Sequence, residues 1–179
     1  MTLVLHEHPF ASYCWKALIA AYERAVPFER LLIDDDEARA RHSALWPLAG
    51  IPVLVDGDVV VPESSTVIEY LDRFGGAPPM IPADPDAALR VRVWDRVMDG
   101  NVMTPMQTIV FNALRPDEHK DPFGVDGARA TLDRAYGYLE SQLGDGGWRL
   151  LRRESVARVV DEARPYRELF PLPWPAYAE

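Results

Sequence analysis

The sequence predicts an α/β domain followed by an all-helical one. Up to Gly76, short β-branched runs alternate with amphipathic stretches in the order βαβα and then ββα. Gly76-Ala77-Pro78-Pro79-Met80-Ile81-Pro82-Ala83 is dense in residues that cannot continue a helix, and residues 77–84 read as the linker between a domain at 1–76 and a domain at 85–179. Beyond the linker, apolar residues recur at helical spacing.

Each element has its own signal. Leu3-Val4-Leu5 is an apolar run too short for a helix and reads as a strand buried on both faces. A helix starts near Ser12, with Cys14, Ala17, Leu18, Ala21 and Tyr22 on one side and Lys16, Glu23 and Arg24 on the other; Pro27 ends it. Phe28–Ile33 alternates as a strand, and Glu37–Leu45 is a short polar helix. Two Val-rich runs around Asp56-Gly57 predict a hairpin closed by a type I′ turn, because that turn needs residues tolerant of positive φ. Pro52 and Pro62 cannot donate to a ladder and mark strand ends or an edge, so the hairpin is expected to leave its Pro52 edge open. Val67, Ile68, Leu71 and Phe74 then give a helix stopped by Gly75-Gly76. In the second half, Asp84-Pro85 is a helix start, Pro105 bends or ends that helix, and further helices span Val125–Leu143 and Ser155–Ala163.

An open strand edge beside a helix N-terminus suits a peptide-like, anionic ligand, since unpaired first-turn amides and the helix dipole favour a carboxylate. Ile51-Pro52-Val53-Leu54, followed by Pro62-Glu63-Ser64 and Ile68-Glu69-Tyr70-Leu71, resembles the glutathione-binding half of the glutathione S-transferases. The resemblance implies a thioredoxin-like N-terminal domain followed by a helical C-terminal domain. It also implies a cis Ile51–Pro52 peptide, a site at Ile51, Pro52 and Val53 with the Val53 backbone pairing the cysteinyl unit of glutathione, and Glu63 and Ser64 at the γ-glutamyl end. Without it, Pro52 reads as a strand-start proline, Glu63 as a solvated carboxylate and Ser64 as an N-cap.

The reaction implied is activation of the glutathione thiolate for attack on a small apolar electrophile. The first-helix start, Pro9-Phe10-Ala11-Ser12-Tyr13-Cys14, is similar to the Ser-Pro-Tyr-Cys type of bacterial members, with Ala11 where several classes keep a Ser or Cys. Ser12 is the first candidate thiolate donor, or else a simple N-cap. Cys14 is the second, although it lies on the apolar stripe; His6 reads as a donor or a satisfied histidine, and Tyr13 as shaping the site or packing. The resemblance also implies a homodimer. Departures from the family leave open a non-catalytic binding or regulatory protein, or a glutathione-dependent isomerase, dehalogenase or etherase. The C-terminal domain is short for the family, as if a segment were missing between Trp148 and Arg149, through loss of a central helix or a stretch absent from the sequence.

Composition narrows the field. At 179 residues, with 48% hydrophobic and 26% charged, the chain can bury a sizeable core. The net charge of −9 argues against nucleic acid, and requires a site for an anionic substrate to supply its own positive potential. A single cysteine excludes an intramolecular disulfide and a cysteine-based metal site, so no metal is expected. No apolar run reaches membrane-spanning length and no signal-peptide pattern opens the chain; no membrane partner and a cytoplasmic location are expected.

Overall fold

A computed structural model of the chain describes residues 2–75, 78–143 and 153–169. It divides into two compact units: Met1–Ala83 together with Glu154–Arg164, and a second unit beginning at Asp84.

The first unit is built on a four-stranded sheet of order β2-β1-β3-β4, formed by β1 (Leu3–Glu7), β2 (Phe28–Leu32), β3 (Val53–Asp56) and β4 (Val59–Pro62). Strand β1 runs parallel to β2 and antiparallel to β3, and β3 is antiparallel to β4. Three helices belong with it: α1 (Ser12–Glu23), α2 (Asp36–Leu45) and α3 (Ser64–Leu71). This is the thioredoxin-like order.

Alternation along β1 assigns its faces. Leu3 and Leu5 join Leu18 and Ala21 of α1, Leu54 of β3, and Val67 and Leu71 of α3 in one core; a fully buried leucine in such a core contributes roughly 1.5–3 kcal/mol. His6 points the other way, toward His42 of α2.

Helix α1 ends in a Schellman motif, with Ala25 left-handed at φ 51°, Val26 N–H donating to Ala21 O and Ala25 N–H to Tyr22 O. Arg24, almost fully buried, crosses to the end of α3, where it pairs with Asp72 at 3.3 Å and donates to the Phe74 carbonyl. The Asp72 carboxylate in turn accepts the N–H groups of Met80 and Ile81 at 2.8 Å, tying the linker's described part down.

The hairpin turn differs from the sequence expectation. Asp56 pairs with Val59, so the central residues are Gly57 and Asp58, and only Gly57 (φ 59°) has positive φ. That is the pattern of a type II′ turn, with glycine first. The valine ladder set the register, Val55 opposite Val60, and the turn followed from it.

Helix α7 (Glu154–Ala163) corrects the domain expectation: it belongs to the first unit, not to the helical region after the linker. Val159 enters the first unit's core, and Glu162 accepts from Tyr22 Oη at 2.9 Å and from Arg30 Nη1 at 2.7 Å.

In the second unit, Asp84 caps α4 (Pro85–Met98) by accepting Ala87 N–H at 2.8 Å. A π-helical turn at Asp99–Met103 leads into α5 (Thr104–Leu114). The bend expected from Pro105 takes this form: Thr104 N–H reaches back five residues to Asp99 O, and its hydroxyl donates there too at 2.9 Å. Helix α6 (Pro122–Leu143) packs on α5. The glycine stop after Leu143, the Trp148–Arg149 junction and the C-terminal tail lie outside the described residues.

Candidate functional site

Topology brings the predicted residues to one end of the sheet. β1 and β4 are both antiparallel to β3, so their C-terminal ends lie at the end where β3 begins. Helix α1 follows β1 and α3 follows β4, which sets both helix N-termini beside the start of β3. Ser12, Glu63, Ser64, Ile51 and Pro52 converge there. Glu63 and Ser64 directly follow β4, whereas Ser12 and Ile51 are reached through the short connections at 8–11 and 46–52.

The Ile51–Pro52 peptide is cis. The open backbone lies two residues earlier than the expected Val53, at Ile51. Val53 is fully buried in a strand paired on both sides, opposite His6 of β1 and Pro62 of β4, so it is not on an open edge. Ile51 precedes the ladder, and among the described residues neither its N–H nor its C=O is hydrogen-bonded. The hairpin's own β4, not its Pro52 side, is the sheet edge.

At the start of α3, Glu63 rather than Ser64 is the N-cap, with a left-handed backbone at φ 67°. Its carboxylate makes no cap bond, so the first turn's amides are not consumed by it. Thr66 instead turns its hydroxyl back to the Pro62 and Glu63 carbonyls. Ser64 is the first helical residue, 6% exposed, and its hydroxyl has no partner among the described residues.

At the start of α1, Ala11 is the N-cap and offers no side-chain cap, which removes the N-cap reading of Ser12. Ser12 is the first helical residue and its hydroxyl too is unpartnered among the described residues. Cys14 is a different matter. It is completely buried, and burial pushes its thiol up to about 12, with the buried Glu7 carboxylate adding to the rise. A thiol held protonated at neutral pH is not a nucleophile, so Cys14 is core and the catalytic assignment to it is corrected. His6 is a satisfied histidine: its Nδ1 lies 3.2 Å from Nδ1 of His42.

Sequence reasoning missed Lys16. Its ammonium lies 3.3 Å from Ser65 Oγ in the first turn of α3 and 5.8 Å from the Tyr13 ring centroid. It therefore places positive charge between the two helix starts of a chain whose net charge is −9. Only its position on the polar side of α1 was legible, not what that side faces. Among the described residues, no cluster of His, Cys, Asp and Glu is arranged to hold a metal ion.

Residues 5–79 match the family model for the glutathione S-transferase N-terminal domain. The first unit is thus similar to the N-terminal domain of the glutathione S-transferases. A Stringent starvation protein A homolog of Coxiella burnetii is 30% identical over 107 residues, which are 60% of this chain and 51% of the relative. Glutathione S-transferase Z2 of Arabidopsis thaliana is 31% identical over 85 residues, 46% of this chain and 38% of the relative. Both matches thus span about half or less of those relatives' length. Among solved structures, a glutathione transferase family member from Pseudomonas fluorescens Pf-5 with bound glutathione aligns with a TM-score of 0.71 at 25% identity, over 93% of this chain and 86% of that one. The chain thus has a thioredoxin-like N-terminal sheet and a helical C-terminal region, as in that structure. No described helix is long and apolar enough to cross a membrane.

Proposed function

We propose that the chain is a glutathione transferase, binding glutathione at the end of the sheet and activating its thiol toward a small apolar electrophile. The observation that carries the reading is the Ile51 backbone, unpaired among the described residues, at the same sheet end as the α3 N-terminus and its unpartnered Ser64 hydroxyl. A peptide-like ligand pairs with the former and sets a carboxylate on the latter. Glu63 is the acceptor for the γ-glutamyl ammonium. Lys16 and the α1 N-terminus supply the positive potential that an anionic substrate needs in an acidic protein.

Ser12 donates its hydroxyl hydrogen to the glutathione sulfur. That bond favours thiolate over thiol, the displaced proton leaves to solvent, and the sulfur electron pair forms the new bond to the electrophilic carbon as the carbon's bond to its leaving group breaks, the leaving group departing to solvent with that electron pair. The protein acts as a homodimer, which light scattering checks as twice the chain mass.

A non-catalytic binding protein is the second reading, and Ala11 favours it, since the N-cap position of α1 carries neither hydroxyl nor thiol. One experiment separates the readings: calorimetric titration with glutathione, followed by titration of the bound thiol through its ultraviolet thiolate absorbance. Binding with a depressed thiol pKa supports the transferase. Binding with an unshifted thiol supports the second reading, and no binding refutes both.

A further inference from the structure

The His6–His42 pair lies beneath the loop that precedes β3, and hydrogen-bonding logic assigns its protons. His42 Nε2 is 3.1 Å from the Gly50 carbonyl oxygen. A carbonyl only accepts, so that nitrogen carries the proton and the neutral ring's Nδ1 is left as an acceptor. His6 Nδ1, 3.2 Å from it, is then the donor. The chain of donation runs from β1 through α2 to the loop: His6 Nδ1–H to His42 Nδ1, then His42 Nε2–H to Gly50 O. Both rings are buried, at 7% and 2% exposure, so neither exchanges its partner for water.

The Gly50–Ile51 peptide is trans and planar, which fixes the Gly50 C=O and the Ile51 N–H on opposite sides of one rigid plate. Holding the carbonyl therefore aims the amide. We propose that His42, with its tautomer set by His6, is the positioning residue of the glutathione site: by gripping Gly50 O it turns the Ile51 N–H outward to meet the ligand's backbone carbonyl.

This rests on the reading above that glutathione pairs with Ile51. Burial, His42 and the nearby Arg41 all lower the His6 pKa, which keeps its ring neutral and the donation pattern single at neutral pH.

The test has two arms. Long-range proton–nitrogen spectra of the unmodified protein should show His42 protonated at Nε2 and His6 at Nδ1; His42 protonated at Nδ1 instead would overturn the inference without any variant. In the second arm, calorimetry with glutathione compares the wild type, His42→Leu and His42→Gln. The leucine variant should bind about three- to tenfold more weakly, the range for one lost neutral hydrogen bond. The glutamine variant keeps an N–H near the Nε2 position and an oxygen for the His6 proton, and should recover most of the affinity. A leucine variant that folds and binds normally, or a glutamine variant no better than leucine, would refute the role. Should the leucine variant not fold, the spectra and the glutamine variant still decide. A wild type that does not bind glutathione defeats the functional reading and this inference with it, whereas an unaffected leucine variant beside a binding wild type defeats the inference alone.

Discussion

Arg30 offers the sharpest test of how α7 is held to the first unit. Its guanidinium bridges Glu7 of β1, at 2.8 Å, and Glu162 of α7, at 2.7 Å. Glu7 is completely buried, and its second oxygen has no partner among the described residues. Burial already raises the Glu7 pKa, with Arg30 opposing that rise and Glu162 adding to it. In Arg30→Met the opposing charge is gone, and Glu7 must either stay ionised without a cation or take up a proton.

The second option limits the cost. Protonating an ordinary glutamate, pKa about 4.3, costs about 3.7 kcal/mol at pH 7 and about 1 kcal/mol at pH 5, from 1.36 kcal/mol per unit. Breaking a buried pair costs roughly 3–5 kcal/mol, so the two costs are comparable at pH 7 and protonation sets the ceiling at pH 5. The sign follows from linkage: a carboxyl with a raised folded pKa binds its proton more tightly when folded, so its stability contribution is complete below the unfolded pKa and is lost as pH rises toward the folded one. The variant, with the larger rise, loses more at high pH. Urea denaturation followed by circular dichroism should therefore show a deficit of about 3 kcal/mol at pH 7 that shrinks to about 1 kcal/mol at pH 5. A deficit equal at the two pH values, or below about 1 kcal/mol at pH 7, would refute the reasoning.

Three further outcomes are expected. Ser12→Ala should move the pKa of bound glutathione toward the free thiol value of about 8.5 with little change in affinity, while Cys14→Ala leaves that titration unchanged; thiolate absorbance against pH reads both. Glu63→Ala and Ser64→Ala should each weaken glutathione binding by roughly 1–3 kcal/mol by calorimetry, since each removes a partner from a charged ligand group. At Gly75 (φ 79°) an added Cβ would run into the Arg24 carbonyl oxygen, so Gly75→Ala should cost at least about 2 kcal/mol in urea denaturation, the left-handed backbone alone accounting for about 1–2 kcal/mol.

The sequence by itself determined the element order of the first unit and the residues that end β4 and start α3. Those are local matters: β-branched runs and Pro62-Glu63-Ser64 act within a few residues of themselves. The start of α1 at Ser12 was legible for the same reason. What the sequence could not decide was set by partners distant in the chain. The hairpin turn moved by one residue because the cross-strand valine register outweighs a dipeptide preference, and the open backbone moved from Val53 to Ile51 because β1 pairs with β3 from the other side. Lys16 met Ser65, 49 positions away, only when α1 packed on α3. Helix α7 groups with the first unit, where Val159 enters the core and Glu162 meets Arg30, 132 residues earlier in the chain and paired also with the buried Glu7. The energy of a buried charge depends on every group around it, and none of those neighbours is adjacent in sequence.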